Sequence, residues 1–307
     1  MTNPQPHISF VGGSWDSIPN AHCFSHNAMA TVFEVVIIHK DASYAQQAAW
    51  AAFDELDKLE QQLSRFIENS DISRINNLAA DQPLQLSLET FECLRLCGSL
   101  YDQTDRAFNI TIGSLMDCWL NKDKTLRSPS IEQLNQARQC TGLHLIKLDE
   151  TEHTVQLLTS HVQIDLGGIG KGYAVDQMAK LLNDWGINAA LINGGCSSVL
   201  ALGKKDWHLT LSNPANPKKT LAHIYPQDRA VSGSGLQKGP HIIDPRSAQP
   251  IKGKKAAWVC APTAAAADAL STAFMIMSPD QVRQYCSSHS DTAAMVISED
   301  EVMRLGL

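Results

Sequence analysis

The chain has 307 residues, of which 44% are hydrophobic and 19% charged, and its formal net charge is −7. This composition is typical of a folded protein with a substantial core, and the length suits one large domain or two ordinary ones. Because the acidic chain has no run of lysine and arginine, duplex DNA and RNA are poor candidates as partners. An acidic protein that binds a phosphorylated ligand needs a metal ion or backbone amides to offset the ligand's charge.

The first residues, MTNPQPHISFVGGSWDS, have neither a basic start nor an apolar core, so no secretory signal is predicted. No stretch approaches the roughly 20 apolar residues of a membrane helix. The eight cysteines are scattered and do not complete a zinc site. We therefore expect a cytoplasmic protein with reduced thiols and no membrane span. We also expect residues 1–25 to form an N-terminal extension and residues 26–307 to form a single domain.

Hydrophobic spacing predicts the secondary-structure elements in chain order. The predicted helices cover residues 43–63, 88–101, 131–139, 173–185 and 263–277, with a short helix that Ser70 or Asp71 would cap. The predicted strands cover residues 31–38, 189–194, 256–260 and 293–298, and three short runs at 143–149, 154–160 and 162–168. The short runs have hairpin spacing, and the strand at 293–298 is expected to close the sheet. We predict an α+β fold with a mainly antiparallel sheet flanked by helices.

A glycine-rich segment, DLGGIGKGYAVD (165–176), lies between a predicted strand and a predicted helix. In this context backbone amides and a helix N-terminus bind anions, and Lys171 would add a positive charge. The spacing fits neither GxxxxGK[ST] nor GxGxxG. From these residues alone, a phosphate contact and a plain turn are about equally well supported.

A second segment, HIIDPRSAQP (241–250), places a histidine before an Asp-Pro turn. His241 has the chemistry of a general base near neutral pH. The alternative is a strand that ends in a turn, with Arg246 as a structural anchor, and this alternative is favoured for the segment in isolation.

The third segment, APTAAAADALSTAFMIM (261–277), carries a carboxylate in a predicted helix of small and apolar residues. Asp268 and Thr272 are four residues apart and share a helix face, and Ser271 adds a second hydroxyl. Such oxygens suit a hard cation such as Mg²⁺. The alternative is a solvated Asp268 with Thr272 bonded back to a carbonyl. The apolar surroundings favour a carboxylate that has a partner.

Three further segments, SRF (64–66), AFNITIG (107–113) and VSGSG (231–235), are predicted to be turns when each is taken alone. The segment PANPKK (214–219) is predicted to be a loop.

In combination and in this order, the segments resemble the motifs of the ApbE family of FAD:protein FMN transferases. The matching segments are MAT (29–31), LSRFIENSDISRINN (63–77), FNITIGSLMDCW (108–119), DLGGIGKGYAVD (165–176), HIIDPRSA (241–248) and APTAAAADALSTAF (261–274). The resemblance runs from about Met29 to near the C-terminus, and six ordered motifs are far more specific than one.

The resemblance implies an α+β fold that binds FAD, as substrate, and Mg²⁺. It further implies transfer of FMN from FAD to a Thr or Ser hydroxyl of an acceptor protein, with release of AMP. Mg²⁺ would neutralise the pyrophosphate charge, and in-line attack on phosphorus mainly requires positioning and electrostatic stabilisation. The alternatives are a Mg²⁺-dependent FAD pyrophosphatase, a non-catalytic flavin-binding protein and, last, a structural protein with the same fold. Neither the acceptor nor the oligomeric state is predicted.

Carried over residue by residue, the resemblance also implies a site. The metal ligands would be Asp268, Ser271, Thr272 and a backbone carbonyl at Gly168. The residues that contact FAD would be Met29, Ser64, Phe66, Asn109, Lys171, Val175 and His241. The catalytic residues would be His241, as the base for the attacking hydroxyl, and Asp268, through the metal. Asp244 and Arg246 would hold the strand of His241 in place.

Three departures from the family pattern affect the predicted site. The family's NAGGD segment is Asn193-Gly194-Gly195-Cys196-Ser197 here, which lacks the carboxylate and one glycine. The usual aspartate of FDPTVG is Asn109, and the glycine of Met-Gly-Thr is Ala30. These changes affect the expected nucleotide contacts or acceptor groove, whereas Asp268 and His241 are intact.

Overall fold

The structure is a computed structural model that describes residues 8–10, 18–121, 125–214, 216–237, 239–299 and 301–307. The chain divides into two units. The first unit comprises Met1–Lys58, Ile169–Gln237 and Lys254–Leu307, and the second comprises Leu59–Gly168 and Lys238–Gly253. A single domain over residues 26–307 stays a prediction, and most of the expected N-terminal extension lies outside the described residues.

The helices that were predicted from hydrophobic spacing are all confirmed. The α-helices in the described ranges are α1 (Ala42–Leu63), α2 (Asp71–Asn76), α3 (Leu88–Gln103), α4 (Gly113–Trp119), α5 (Ile131–Gln139), α6 (Gly170–Asp184), α7 (Ala264–Ile276) and α8 (Pro279–Ser288), and two 3-10 helices cover Ile110–Ile112 and Leu143–Leu145. Ser70 is the N-cap of α2, and its Oγ accepts a hydrogen bond from the amide of Ser73 at 2.9 Å. No helix in these ranges is both long enough and apolar enough to cross a bilayer.

The strands were predicted less completely than the helices. Those in the described ranges are β1 (Ile8–Phe10), β2 (Ala21–Ala28), β3 (Thr31–Ile38), β4 (Pro83–Gln85), β5 (Ile146–Asp149), β6 (Thr154–Leu157), β7 (Ala190–Gly194), β8 (Ser198–Leu202), β9 (Leu209–Asn213), β10 (Asn216–Ile224), β11 (Arg229–Gly235), β12 (Ile243–Asp244), β13 (Gln249–Pro250), β14 (Lys254–Ala261), β15 (Ala293–Ser298) and β16 (Val302–Leu305).

An eight-stranded antiparallel sheet organises the first unit, in the order β16-β15-β14-β11-β8-β7-β3-β2. This sheet and the helices on it confirm the predicted α+β class. The prediction that the strand at 293–298 closes the sheet is wrong, because β16 pairs with β15 and forms the edge. α7 lies against β11 and β14, α6 lies against β7 and β8, and the two helices contact each other. Apolar residues of the sheet, including Val36 and Trp258, form one core cluster with Leu209 and Leu211 of β9.

Strand β11 was missed because VSGSG has the composition of a turn. In the structure it is an inner strand whose register runs from Ala230 opposite Ala261 to Gly235 opposite Ala256. Since α7 packs directly on β11, small residues in this strand are consistent with a close approach of helix and strand. The predicted loop at PANPKK is also corrected, because β10 begins at Asn216.

The second unit contains the sheet β4-β6-β5, helices α2 to α5 and the hairpin β12-β13. The predicted strand at 162–168 is wrong, since no strand forms there. Instead, the side chain of Asn76 bonds the backbone: its Oδ1 accepts from the amide of Ile164 at 2.6 Å and its Nδ2 donates to the Ile164 carbonyl at 3.0 Å. The amide of Asp165 donates to the carbonyl of Ile110 at 2.8 Å. A side chain thus satisfies backbone groups that a neighbouring strand would otherwise bond.

The hairpin β12-β13 carries the segment that follows His241. Its residues Ile243 and Ala248 form a core cluster with Leu115 of α4 and Ala137 of α5. The indole Nε1 of Trp119 donates to the carbonyl of Ala248 at 2.8 Å. The hairpin is therefore fixed to the helices of the second unit by packing and by a hydrogen bond.

The turn between β2 and β3 contains one departure from the family pattern, Ala30 in place of glycine. Ala28 pairs with Thr31, so Met29 and Ala30 form a two-residue hairpin turn. Their φ angles are +50° and +56°, as in the type I′ turn, which favours asparagine and glycine. A left-handed conformation is costly for alanine, and the family's glycine at this position avoids that strain.

We expect Ala30→Gly to raise the free energy of unfolding by about 0.5–1 kcal/mol, because relief of left-handed strain exceeds the entropy that glycine adds to the unfolded chain. Chemical denaturation would measure the change. The matched control is Ala28→Gly in β2, where the backbone is not left-handed and glycine should destabilise by roughly 0.5–1 kcal/mol. Equal losses for both variants would contradict this account of the turn.

Candidate functional site

Helix α6 begins against α7 at a point that has no room for a side chain. A Cβ atom added to Gly172 would lie 2.2 Å from the carbonyl oxygen of Ala264 and 2.8 Å from Cβ of Asp268. The glycines at 167, 168, 170 and 172 do not have left-handed φ angles, so a left-handed backbone conformation does not explain them. At Gly172 the glycine is required by the close approach of two helices.

Two carboxylates bond the N-termini of these helices reciprocally. Oδ2 of Asp268, on α7, accepts from the amide of Gly172 in the first turn of α6 at 3.0 Å. Asp176, on α6, accepts from the amides of Ala264 and Ala265 at 2.7 and 2.8 Å. Each carboxylate meets amides that have no acceptor inside their own helix, and each lies at the positive end of a helix dipole.

The other end of α7 is held by a cation. Nζ of Lys254 donates to the carbonyl of Phe274 at 2.6 Å and to the carbonyl of Met277. A lysine at a helix C-terminus bonds carbonyls left without a donor and complements the dipole. The helix that carries Asp268 is therefore bonded by charged side chains at both ends.

Asp268 is deeply buried and has no basic side chain as an ion-pair partner in the described part of the chain. The residue is 3% exposed. Burial raises the pKa of Asp176 to about 6, and the charge of Asp268 adds to the rise, although the two backbone amides oppose it. A bound cation would offset the charge of such a pair.

About one helical turn after Asp268, two hydroxyl groups of α7 contact a third on β11. Oγ of Ser271 donates to the carbonyl of Asp268 at 2.8 Å, so Ser271 makes the back-bond that was considered for Thr272. Oγ of Ser234, on β11, lies 2.7 Å from Oγ of Ser271 and 3.1 Å from Oγ1 of Thr272. Sequence reasoning missed Ser234 because VSGSG was read as a turn.

The oxygen atoms of this cluster are suitable ligands for a hard cation. They are one carboxylate and several hydroxyls, which are the oxygens that magnesium and calcium prefer. The described part of the chain contains no group of three or more His, Cys, Asp or Glu residues placed to hold a metal, so the fit rests on Asp268 and its hydroxyl neighbours. Gly168, the further predicted ligand, is the last residue of the Leu59–Gly168 segment in the second unit.

In the second unit, one arginine joins three of the sequence motifs. Nη1 of Arg65 bonds Asp165 at 3.1 Å, and Nη2 bonds Asp117 at 3.1 Å. Burial lowers the pKa of Arg65, but the two carboxylates outweigh this effect and raise it. Oδ1 of Asp165 accepts from the amide of Gly167 at 2.7 Å. Arg65, Asp117 and Asp165 lie in three of the matching segments, but the sequence analysis gave them no role. Their opposite charges were the signal that could have identified them as ion-pair partners.

In the second unit SRF lies in a local turn, whereas residues Ile110–Ile112 of FNITIG form a 3-10 helix that Asn109 caps. Oγ of Ser70 donates to the carbonyl of Ser64 at 2.6 Å, and Phe66 is 87% exposed. Oδ1 of Asn109 accepts from the amide and hydroxyl of Thr111 at 2.9 and 2.7 Å. Because an amide oxygen accepts as a carboxylate does, asparagine preserves this turn where the family has aspartate.

The ring of His241 is oriented by a backbone carbonyl. Nδ1 lies 2.8 Å from the carbonyl oxygen of Gly239, which only accepts, so Nδ1 carries the proton of the neutral ring. Nε2 is then the unprotonated nitrogen and has the tautomer of a general base. Oδ1 of Asp244 accepts from the amide of Arg246 at 2.9 Å and from its Nε at 3.2 Å, which fits the expected structural role of this pair.

The other predicted flavin-contacting residues lie in the first unit. Met29 is in the β2-β3 turn, and Lys171 is half-buried in the first turn of α6. Val175 is completely buried and lies near Gly194, where an added Cβ would be 3.2 Å from Cγ2 of Val175. The structure therefore gives Val175 a packing role, and its contact with flavin stays a prediction.

The altered NGGCS segment forms the turn between β7 and β8. Oδ1 of Asn193 accepts from the amide of Cys196 at 2.8 Å, and its Nδ2 donates to Glu34 at 3.0 Å. Cys196 has a φ of +59°, which is the conformation that the family's glycine suits. Burial and the charge of Glu34 raise the pKa of the Cys196 thiol, although Asn193 opposes the rise.

We expect Gly172→Ala to lower the free energy of unfolding by roughly 3 kcal/mol, because the added methyl group would meet the backbone of Ala264. Thermal or chemical denaturation would measure the loss. The matched control is Gly98→Ala in α3, where the nearest atom to an added Cβ is 3.8 Å away and alanine should stabilise by up to about 1 kcal/mol. A stable Gly172→Ala protein would refute the close-approach account.

Comparisons with known proteins agree with the motif resemblance. The sequence model of the ApbE family matches residues 29–297. The FAD:protein FMN transferase of Klebsiella pneumoniae is 26% identical over 292 residues, covering 89% of this chain and 83% of that protein. The FAD:protein FMN transferase of Chlamydia trachomatis is 30% identical over 252 residues, covering 77% of each.

Solved structures share the fold. The crystal structure of the ApbE protein from Thermotoga maritima is 25% identical, with a TM-score of 0.83 over 93% of this chain and 97% of that one. The flavin transferase ApbE from Vibrio cholerae has a TM-score of 0.82 over 93% of this chain and 98% of its own, at 22% identity. By its matched length, its ordered motifs and its fold, this chain belongs to the ApbE family.

Proposed function

We propose that this protein transfers FMN from FAD to a Ser or Thr hydroxyl of an acceptor protein, in a Mg²⁺-dependent reaction that releases AMP. As a member of the ApbE family, whose relatives include proteins named FAD:protein FMN transferase, the chain is an enzyme of flavin transfer. The observation that carries the magnesium proposal is the buried carboxylate of Asp268, which accepts a hydrogen bond from the amide of Gly172. The hydroxyl of Ser271, one helical turn further on, bonds the backbone carbonyl of Asp268.

Asp268 and Thr272, both in the first unit, are the proposed side-chain ligands of magnesium. The backbone carbonyl at Gly168 stays a prediction from the resemblance. Ser271 was predicted as a ligand too; its hydroxyl donates to the Asp268 carbonyl and also contacts the hydroxyl of Ser234. When bound, magnesium would polarise the phosphoryl oxygens and offset the charge on the departing AMP. The first turn of α6, with Lys171, offers amide dipoles and a positive charge to an anionic ligand.

His241 is the proposed base. The acceptor's hydroxyl oxygen would attack the phosphorus on the FMN side of the pyrophosphate, the bond from that phosphorus to the bridging oxygen would break, and AMP would leave with that oxygen. The hydroxyl proton would pass to Nε2 of His241. The Gly239 carbonyl, bonded to Nδ1, would stabilise the imidazolium that forms.

The remaining predicted flavin contacts are Met29, Ser64, Phe66, Asn109, Lys171 and Val175. Phe66 is the one aromatic residue among these six, and it is 87% exposed. The guanidinium carbon of Arg65 lies 5.7 Å from the centroid of its ring. An exposed aromatic ring is suited to stacking on a flavin or adenine. The cytoplasmic location also stays a prediction.

The test of the proposed function is AMP release from FAD with magnesium, with and without a peptide that bears a Ser or Thr, followed by intact mass of the peptide. AMP release together with an FMN-sized mass gain on the peptide would establish the transferase. AMP with free FMN across a panel of acceptor peptides would favour the pyrophosphatase, because water would then be the nucleophile. Bound FAD without AMP release would favour the non-catalytic flavin-binding alternative.

We expect Asp268→Asn to reduce magnesium-dependent AMP release at least about 100-fold, because the variant keeps the shape of the side chain but loses the charge that binds the ion. The matched control is Asp280→Asn on α8, whose side chain is 94% exposed and whose activity should equal that of the wild type. Full activity in Asp268→Asn would show that the metal assignment is wrong.

His241→Gln should slow AMP release from bound FAD roughly 100-fold or more through loss of the base, while the dissociation constant for FAD changes little. Single-turnover kinetics and flavin fluorescence would measure the two quantities separately. His161→Gln, an exposed site in the same unit, is the control. Weaker FAD binding with an unchanged rate from bound FAD would make His241 a ligand contact and not the base.

A further inference from the structure

The hydrogen bonds of the hydroxyl cluster have only one possible direction. A serine or threonine hydroxyl has a single hydrogen to donate. Ser271 uses its hydrogen on the carbonyl of Asp268, which only accepts. In the 2.7 Å contact between Ser234 and Ser271, Ser234 must therefore be the donor. Its one hydrogen is then used, so in the 3.1 Å contact between Ser234 and Thr272 the donor must be Thr272.

This order makes a relay: Thr272 donates to Ser234, Ser234 donates to Ser271, and Ser271 donates to the Asp268 carbonyl. The hydroxyl hydrogen of Thr272 is thereby directed at Ser234, and its lone pairs face elsewhere. Ser271 is completely buried, donates one hydrogen bond and accepts another, so it already serves inside the relay.

We infer that Ser234 is a positioning residue for metal binding: by accepting the hydrogen of Thr272 it keeps the lone pairs of that hydroxyl available to a cation. In this inference Ser271 accepts the hydrogen of Ser234 and so fixes the direction of the hydrogen bonds, and it is not itself a metal ligand. The inference rests on the proposed function, since it concerns the proposed magnesium site.

The strand that carries Ser234 also offers a matched control. Ser232 lies two residues earlier on β11, on the same face of the strand. It is completely buried, and its Oγ bonds Oγ of Ser198 at 3.1 Å. Ser232→Ala therefore removes one buried serine–serine hydrogen bond and leaves the relay intact, whereas Ser234→Ala removes the centre of the relay.

The experiment is calorimetric titration of the metal-free full chain with magnesium chloride, which measures the dissociation constant without any turnover. Ser234→Ala should bind magnesium roughly 10- to 100-fold more weakly, as expected for a group that orients a ligand. Ser234→Thr should restore binding, because it keeps one hydroxyl. Ser232→Ala should bind like the wild type.

Melting curves would show whether each variant is folded. If Ser234→Ala does not fold, Ser234→Cys replaces it in the test. Its thiol is a poor hydrogen-bonding group, so this variant should also bind magnesium weakly.

The double variant Ser234→Ala/Ser271→Ala separates a relay from independent ligands. Residues of one relay act as a unit, so the double variant should bind no more weakly than Ser234→Ala alone. Independent losses that multiply would overturn the inference and return Ser271 to the ligand set. Unchanged binding in folded Ser234→Ala or Ser234→Cys would overturn it as well.

Asp268→Asn distinguishes failure of the inference from failure of the proposed site. If the wild type binds magnesium, Asp268→Asn does not, and folded Ser234→Ala binds normally, only the relay is wrong. If the wild type binds no magnesium, or Asp268→Asn binds as the wild type does, the metal assignment and the relay are both wrong.

Discussion

The arrangement of the candidate metal site depends on the close approach of α6 and α7 at Gly172. Only glycine allows the first turn of α6 to lie against the carbonyl of Ala264, and only at this distance does the Gly172 amide reach the Asp268 carboxylate. Asp176 makes the opposite contact at the start of α7. Two acidic side chains, each costly to bury alone, are stabilised because each lies at the positive end of the other helix.

The second unit shows a comparable use of charge and amide groups in place of regular secondary structure. Arg65 bonds Asp165 and Asp117, and Asn76 bonds both backbone groups of Ile164. The segment before the glycines is therefore held by side chains and not by a sheet. Its backbone groups are bonded without the neighbouring strand that its apolar pattern suggests.

The sequence allowed prediction of the parts of the fold that depend on local spacing. Periodicity and capping chemistry predicted six of the α-helices, the strand Thr31–Ile38 and the cap at Ser70, but α4 and α8 were not predicted. The motifs allowed prediction of the family, which the comparisons confirm. Strand β11 was not predictable, because serine and glycine there reflect contact with α7, a helix distant in sequence. The segment at 162–168 was misread for the related reason that Asn76, far along the chain, bonds it.

The candidate site was predicted as a set of residues but not as a geometry. Asp268 and Thr272 were identified by their helical spacing, yet nothing local indicated that Ser234 lies between the hydroxyls of Ser271 and Thr272. Asp176 was quoted within a motif and given no role, because its partners are backbone amides that no residue type reveals. Val175 was assigned by resemblance to the flavin, whereas its full burial is evident only in three dimensions.

The bonds at both ends of α7 have a thermodynamic consequence. Asp176 holds its first turn and Lys254 holds its last carbonyls, so the donors of the proposed site are ordered when the protein folds. The conformational entropy of ordering them is then lost during folding and not during association with an ion. By linkage, a ligand that binds only the folded state must in turn shift the folding equilibrium towards that state. If a divalent cation binds at the proposed site, the melting temperature of the protein would then rise with the concentration of that ion.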